Sequence, residues 1–511
     1  MSTRGTEADT EQLASPDTGW DSPAPLADDL RVDTTRKLPS RSNAQAAAVS
    51  GMIGGPVGAH AAIGRSRFWT PVRAVLLMAL VVLAVSWSGK AGCLQQAPAE
   101  PGETSTGMRL NWDNQRQYYG LCYTDVVATY AAERLSPEDL RHGTMPYRTY
   151  WFSDPAGTGE RHYTDQPVLI GMTMYAAAKA TQGWQALVDG TPIPQQLDVV
   201  TFFNISALLL TVFWLIAVWA TMMTDRRRLW RGALMALSPL VFVHAFTAFD
   251  LIPVALVALA LLCWSRERVV LTGVFAGLAA AAALYPLLLI PALAVICHRH
   301  RRLPDFWTVL VCGAIAWLAV NLPVLISYPQ GWTQFFRTWW GRGAEPDSLY
   351  HLVMTAGGWE PPTALLNGLT LALLAAVIAG VVYLGLRAEL TPTPAQLMFL
   401  LVAGYLLVGK AWNPQSSLWL LPFAVLAIPY VRLLIAWMVV EALLWVPRMG
   451  LFLDPSRKWL SEEWFYVAVA IRAVMVLVLC AVVVRDLLAR HNAPAVPAGV
   501  PRTSPYLAAT S

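Results

Sequence analysis

The residues that could do chemistry fall between the apolar runs of this chain rather than inside them. After the first apolar run comes NWDNQRQYYGLCYTDVVATYAAERL with Asp113 and Asp125, then GTMPY at 143–147 and YTDQPVLIG with Asp165 and Pro167. FTAFD ends at Asp250, and ALYP holds Tyr285 and Pro286. GRGAEPDSLY brings Arg342 and Asp347, GKAWNPQSSLWL brings Lys410 and Gln415, and WVPRMG brings Arg448. A carboxylate can take the proton of an acceptor hydroxyl, while Lys, Arg and amide donors hold a phosphate leaving group whose charge grows in the transition state. The set suits transfer chemistry on a lipid-anchored phosphate. There is no G-x-x-x-x-G-K-[ST] phosphate loop, which disfavours a nucleotide-linked donor. The 8 His show no ligand spacing, and His298 and His300 sit in the basic run CHRHRR. No metal ligand set is assigned and no cofactor is certain; a divalent cation at Asp113, Asp125 or Asp165 stays open.

Each of these residues also has a plain structural reading. Asp125 suits the first turn of a helix, where an acid complements free N–H groups and the helix dipole. Asp250, with Pro253 just after it, suits an N-cap. Lys410 could snorkel to a membrane interface, and Arg342 and Arg448 could meet lipid headgroups. Trp112, Trp151, Trp332, Trp339, Trp340 and Trp359 could stack on sugar faces or form an interfacial aromatic belt.

The elements that would position them are membrane helices. Of 511 residues, 56% are hydrophobic and 14% charged, against roughly 25% charged in soluble domains. Lys+Arg 37 less Asp+Glu 33 gives +4, with the cations in short clusters between apolar runs, so nucleic acid is not an expected partner. Apolar runs predict about 12 spans, at 71–87, 199–222, 232–248, 251–264, 269–283, 285–297, 305–327, 363–386, 394–409, 416–430, 433–447 and 464–484. The clusters around Arg67, Arg226–Arg228, Arg266, Arg301, Arg387, Arg432 and Arg485 then fall on one side, which places both termini in the cytoplasm. The apolar segment 167–181 would break that pattern as a span and is expected to be interfacial or re-entrant. Residues 88–198 become one large outer loop, in which a Cys93–Cys122 disulfide is plausible. Cys263, Cys297, Cys312 and Cys480 read as small buried residues. Glu441 and Arg472, at similar depth in adjacent spans, are expected to neutralise each other. Residues 1–64 and 488–511 read as disordered cytoplasmic tails around a membrane domain at 65–487.

In combination, the Asp after the first span, MPY, the Pro-containing re-entrant segment, FD, LYP, NLP with PQGWTQFF, DSLY, KAWNPQSSLWL and WVPRM resemble glycosyltransferase family 87, in its actinobacterial branch of polytopic GT-C enzymes. The resemblance, over roughly residues 60–487, implies an all-α polytopic fold of GT-C type. It implies an inverting transfer on the outer face of the plasma membrane. The donor would be a polyprenyl-phosphate-linked sugar, usually mannose, and the acceptor a cell-envelope glycolipid or polysaccharide. Asp125 takes the family's first-loop carboxylate as base, with Asp113 the alternative. Lys410 and Gln415 match its Lys and Pro-Gln motif near the donor phosphate, joined by Arg342 and Arg448; Asp165, Asp250, Tyr285 and Asp347 support the site. Two departures stand out: Ala283 replaces a Lys usual before the Tyr-Pro, and Asp165-Gln166-Pro167 replaces a Glu-Tyr-Pro. A flippase for a lipid-linked sugar and a non-catalytic scaffold of an envelope-biosynthesis complex are the rival readings; the lack of matched halves weighs against the first.

Overall fold

The computed structural model describes residues 69–100, 107–152, 159–192, 195–389 and 391–489. The expected tail 1–64 and all but the first two residues of 488–511 lie outside the described residues. Helix α1 (Pro71–Ala91) leads to a hairpin of β1 (Gln96–Pro98) and β2 (Met108–Leu110), then to α2 (Arg116–Tyr119), α3 (Asp125–Ala132) and α4 (Pro137–Arg141). A second hairpin, β3 (Trp151–Phe152) and β4 (Arg161–His162), precedes α5 (Val168–Val188) and α6 (Asp198–Thr224). Next come α7 (Gly232–Ala236), α8 (Pro239–His244), α9 (Leu251–Ser265), α10 (Val269–Ala280) and α11 (Leu289–Arg299). They are followed by α12 (Leu303–Ser327), α13 (Pro329–Gly341), α14 (Leu349–Gly357) and α15 (Thr363–Arg387). The last described elements are α16 (Pro394–Leu407), α17 (Leu421–Ala427), α18 (Val431–Leu443), α19 (Trp445–Leu451) and α20 (Glu462–Ala489). Both hairpins are antiparallel, with Gln96 opposite Leu110 and Trp151 opposite His162.

This is an all-α polytopic membrane protein. Six segments among the described residues are long and apolar enough to cross a bilayer: Pro71–Leu94, Asp198–Thr224, Leu303–Ser327, Thr363–Arg387, Val431–Leu451 and Glu462–Leu488. All six coincide with expected spans. They leave large apolar side chains exposed, among them Ile315 and Ile326 on α12 and Leu365 and Leu371 on α15, as a lipid-facing surface requires. Four further expected spans are the shorter helices Leu251–Ser265, Val269–Ala280, Tyr285–Arg299 and Pro394–Leu407. The 15 residues of α9 reach about 22 Å, short of a hydrocarbon core of about 30 Å. The remaining two are broken. Residues 232–248 split into α7 and α8 at Ser238-Pro239, and 416–430 become a 3₁₀ helix (Pro414–Leu420) and α17, with Pro414 and Pro422 at their starts. Proline in a first turn fits a helix start but ends whatever helix precedes it.

Small residues set the packing. Helices α10 and α12 cross so closely that a Cβ on Gly277 would lie 2.1 Å from the Gly313 carbonyl oxygen, and one on Gly273 2.6 Å from that of Val309. Membrane helices gain van der Waals contact and little else from association, so a Gly-xxx-Gly row that lets backbones touch is where they meet. The segment 167–181 forms most of α5, a 21-residue helix packed along α6 and carrying Lys179, Gln182 and Gln185. It is not among the six span-length apolar helices. Tyr147, from MPY, wedges between α5 and α13 with φ +66°. Its hydroxyl donates to the Gln166 and Pro167 carbonyls at 3.0 and 3.1 Å, and Gly171 and Gly331 leave room for its ring and its carbonyl.

Candidate functional site

Asp125 is the first residue of α3, and its backbone is held from two directions. Cys93 and Cys122 form a disulfide, which joins the end of α1 to the strip just ahead of Asp125. Thr124 caps α3 by accepting from the Val126 N–H at 3.2 Å, and its own hydroxyl donates to the Phe246 carbonyl at 2.7 Å. The Asp125 N–H donates to the Thr247 carbonyl at 2.8 Å. Since Thr124 does the capping, the carboxylate of Asp125 is left for other partners. Its Oδ2 accepts from Gln415 Nε2 at 3.0 Å, and the carboxyl also has a hydrogen-bonding interaction with the Tyr123 side chain. Burial pushes the carboxyl up from its ordinary range, against the nearby positive charges of Arg448 and Lys90 and these two hydrogen bonds.

Asp125 opens into a cavity of about 390 Å³ that also takes in Asp165, Asp250, Arg342, Lys410 and Gln415. Six of the ten sequence-predicted site residues therefore share one space. Asp250 makes no cap hydrogen bond with its side chain; it accepts from Trp419 Nε1 at 2.8 Å. Burial, with a smaller contribution from Asp125, pushes it up to about 6. Asp165 accepts from Gln166 Nε2 at 3.1 Å and neighbours Glu133. Burial and then the charge of Asp165 push Glu133 up to about 8.

Lys410 is buried, and its ammonium is spent on protein oxygens: the carbonyls of Trp340 at 3.2 Å and Arg342 at 2.7 Å, and Asn367 Oδ1 at 2.5 Å. It also lies 5.0 Å from the centre of the Trp339 ring. Burial, then Arg342, lowers its pKa. An ammonium has three donors, so this lysine ties the end of α13 to α15. Among the described residues, Arg342 is the cation that remains presented to the cavity, paired with Glu345 at 2.8 Å and 40% exposed.

The other four predicted residues lie off the cavity lining. Asp113 pairs with Arg109 at 2.8 Å and is half exposed. Arg448 pairs with the buried Asp347 at 2.8 Å. Tyr285 stacks on Trp419 with ring centres 4.5 Å apart, and so backs Asp250 at one remove. Glu441 and Arg472 are both fully buried, yet no ion pair joins them. Glu441 accepts from Ser417 and Trp437 at 2.8 and 3.0 Å. Arg472 lies 3.9 Å over the Trp412 ring and donates to the Asp347 carbonyl at 2.5 Å. Sequence reasoning missed Tyr123, Glu133, Asn367 and Trp419. Asn367 had a signal, a lone amide in the apolar run LLNGLTLALL.

Beside this polar space lies an apolar groove of about 490 Å³ between α10, α11, α12 and α13. The two share Gln166, Pro167, Ala283, Leu284 and Phe335 at their junction. Ala283 thus sits in the doorway.

Residues 192–409 match the model of glycosyltransferase family 87. The match takes in the groove helices, Asp250 and Arg342, and stops one residue before Lys410. No curated protein matches the chain.

Proposed function

We propose, from the premise that this chain is a membrane glycosyltransferase of family 87, that its donor is a polyprenyl-phosphate-linked sugar and that Asp125 is the base. The observation that carries the reading is the junction of an apolar groove with a polar cavity holding Asp125 and Arg342. A polyprenyl tail has no polar group to satisfy and suits the groove of Leu, Ile, Phe and Trp side chains, while its phosphate and sugar need the donors and acceptors next door. Asp125 takes the proton of an acceptor hydroxyl. The hydroxyl oxygen bonds to the anomeric carbon as the bond from that carbon to the phosphate oxygen breaks. Polyprenyl phosphate leaves with the electron pair, and Arg342 meets the growing charge. Attack opposite the leaving phosphate inverts the anomeric centre.

Mannose is the sugar and an envelope glycolipid or polysaccharide the acceptor in this reading, with the cavity on the outer face of the plasma membrane, both termini inside and one membrane domain at 65–487. Lys410 serves the phosphate through Arg342, whose carbonyl it holds. The test is transfer from radiolabelled polyprenyl-phosphomannose in isolated membranes, comparing wild type with Asp125→Asn at matched protein levels. Transfer by wild type and its loss in the variant is the expected result. Equal transfer by both removes Asp125 as base. No transfer by either, with acceptor present and other polyprenyl-phosphate sugars also inactive, favours the flippase or scaffold.

A further inference from the structure

At the other end of α9 from Asp250, a second hollow of about 540 Å³ is rimmed by Arg226, Arg266 and Arg268. Sixteen residues separate Asp250 from Arg266, which at helical rise is about 24 Å. The walls are apolar: Trp219 and Met223 from the last two turns of α6, Leu262 from α9 and Phe275 from α10. Arg266 Nη2 donates to the Met223 carbonyl at 2.7 Å, which fixes that guanidinium at the rim.

No carboxylate among the described residues pairs with any of the three arginines. The nearest acids in sequence are engaged elsewhere, Asp225 accepting from the Arg227 N–H at 3.2 Å and Glu267 facing Arg302 at 3.6 Å. Cations following the C-termini of α6 and α9 offset the negative ends of those helices. That accounts for their sign, but not for three guanidiniums around an apolar hollow with no carboxylate partner among the described residues. The hollow lies at the end of Asp198–Thr224, a helix long and apolar enough to cross the membrane, and therefore at headgroup depth.

We propose that this hollow binds one anionic phospholipid, with its phosphate among Arg226, Arg266 and Arg268 and an acyl chain against Trp219, Leu262 and Phe275. Guanidinium forks match phosphate oxygens in geometry and charge. A zwitterionic headgroup would bring its own cation toward three others. The site is independent of the transfer reading, being remote from Asp125 and built from different residues.

The experiment is native mass spectrometry of the purified full chain titrated with phosphatidylglycerol, phosphatidylcholine or inorganic phosphate. Arg226→Gln/Arg268→Gln is compared with Arg227→Gln/Arg228→Gln, which removes the same charge from the same surface but not from the rim. Wild type and the second variant are expected to hold one phosphatidylglycerol, and the first to bind it about tenfold or more weakly, as the loss of two charge-assisted contacts implies. A smaller loss in the same direction is expected of Arg268→Gln alone, which serves if the double variant does not fold. Equal weakening by both double variants would reduce the site to diffuse charge. Phosphatidylcholine binding as tightly would overturn the headgroup assignment, and inorganic phosphate fully displacing the lipid would make this a free-anion site.

Discussion

Gln415 Nε2 donates to Asp125 Oδ2 at 3.0 Å across 290 residues of chain, so the first helix after the disulfide and the 3₁₀ helix of the KAWNPQSSLWL motif meet at one carboxylate. An amide donor favours the ionised form and fixes which oxygen is free to accept a proton. Asp125→Asn is expected to lower transfer by about 10²–10⁴-fold, the range of general-base contributions, with little change in thermal stability. Single-turnover transfer at matched expression measures it.

Arg448 does not line the cavity, yet its charge is the largest influence opposing the rise of the Asp125 pKa. A base must be ionised to act, so activity falls as pH drops through its pKa. Arg448→Gln removes the opposing charge, raises that pKa further, and is expected to move the acid limb of the pH–rate profile to higher pH. Lys458→Gln, near the exposed surface and paired with Glu462, leaves the limb in place. An unmoved limb in Arg448→Gln would show that Asp125 is not the group titrating.

Glu133 gives a stability test with a definite sign. Its pKa stands at about 8 in the fold, raised first by burial and then by Asp165, against about 4.3 in an unfolded chain. Folding favours its protonated form, so the stability this confers is complete below about pH 4.3 and lost as pH rises through about 8. Glu133→Gln keeps a neutral side chain at every pH. Its melting temperature is expected to exceed that of wild type by a margin that grows from pH 5 to pH 8, up to a few degrees. A constant margin would refute the assignment.

Lys410 and Asn367 should behave as one unit. With all three ammonium donors taken by Trp340, Arg342 and Asn367, Lys410→Met and Asn367→Ala both free the end of α13. A double-mutant cycle on thermal stability is expected to give a coupling of about 0.5–3 kcal/mol. Additive effects would mean that the lysine acts alone, as a direct phosphate ligand would.

How far the sequence could reach is seen in these same residues. Asp125, Gln415 and Asp250 stood out because polar groups at the ends of apolar runs are costly unless they serve something, and the structure brings them to one cavity. The partners of Lys410 were not, because carbonyls of the 340–342 turn belong to every residue type and leave no mark in a sequence. Asp113 and Asp125 are alike in type and both follow the first span; the family resemblance favours Asp125, and the fold pairs Asp113 with Arg109 while it sets Asp125 against Gln415. Helix breaks at Pro239 and Pro422 were foreseeable locally, but hydropathy averages across them and reads the broken segments 232–248 and 416–430 as spans. Glu441 and Arg472 share a depth, and depth alone suggested a pair; side-chain direction instead gave Glu441 to Ser417 and Arg472 to the Trp412 face.

That last arrangement holds Gln415 in place, and it makes a strong prediction about a residue outside the cavity lining. Ser417 is fully buried; its hydroxyl donates to Glu441 Oε2 at 2.8 Å and accepts from Trp412 Nε1 at 3.2 Å. Trp437 Nε1 holds the other Glu441 oxygen at 3.0 Å, and Arg472 covers the Trp412 ring. Ser417→Ala strands two buried polar groups at once, at about 1–3 kcal/mol for each, and frees the 3₁₀ helix that aims Gln415 at Asp125. The melting temperature should therefore fall, and kcat should drop more than KM rises, because the groove and Arg342 are untouched. Ser417→Thr, which keeps the hydroxyl, should restore part of both. If Ser417→Ala lowers stability while kcat stays at the wild-type value, the network supports the fold alone and does not position Gln415.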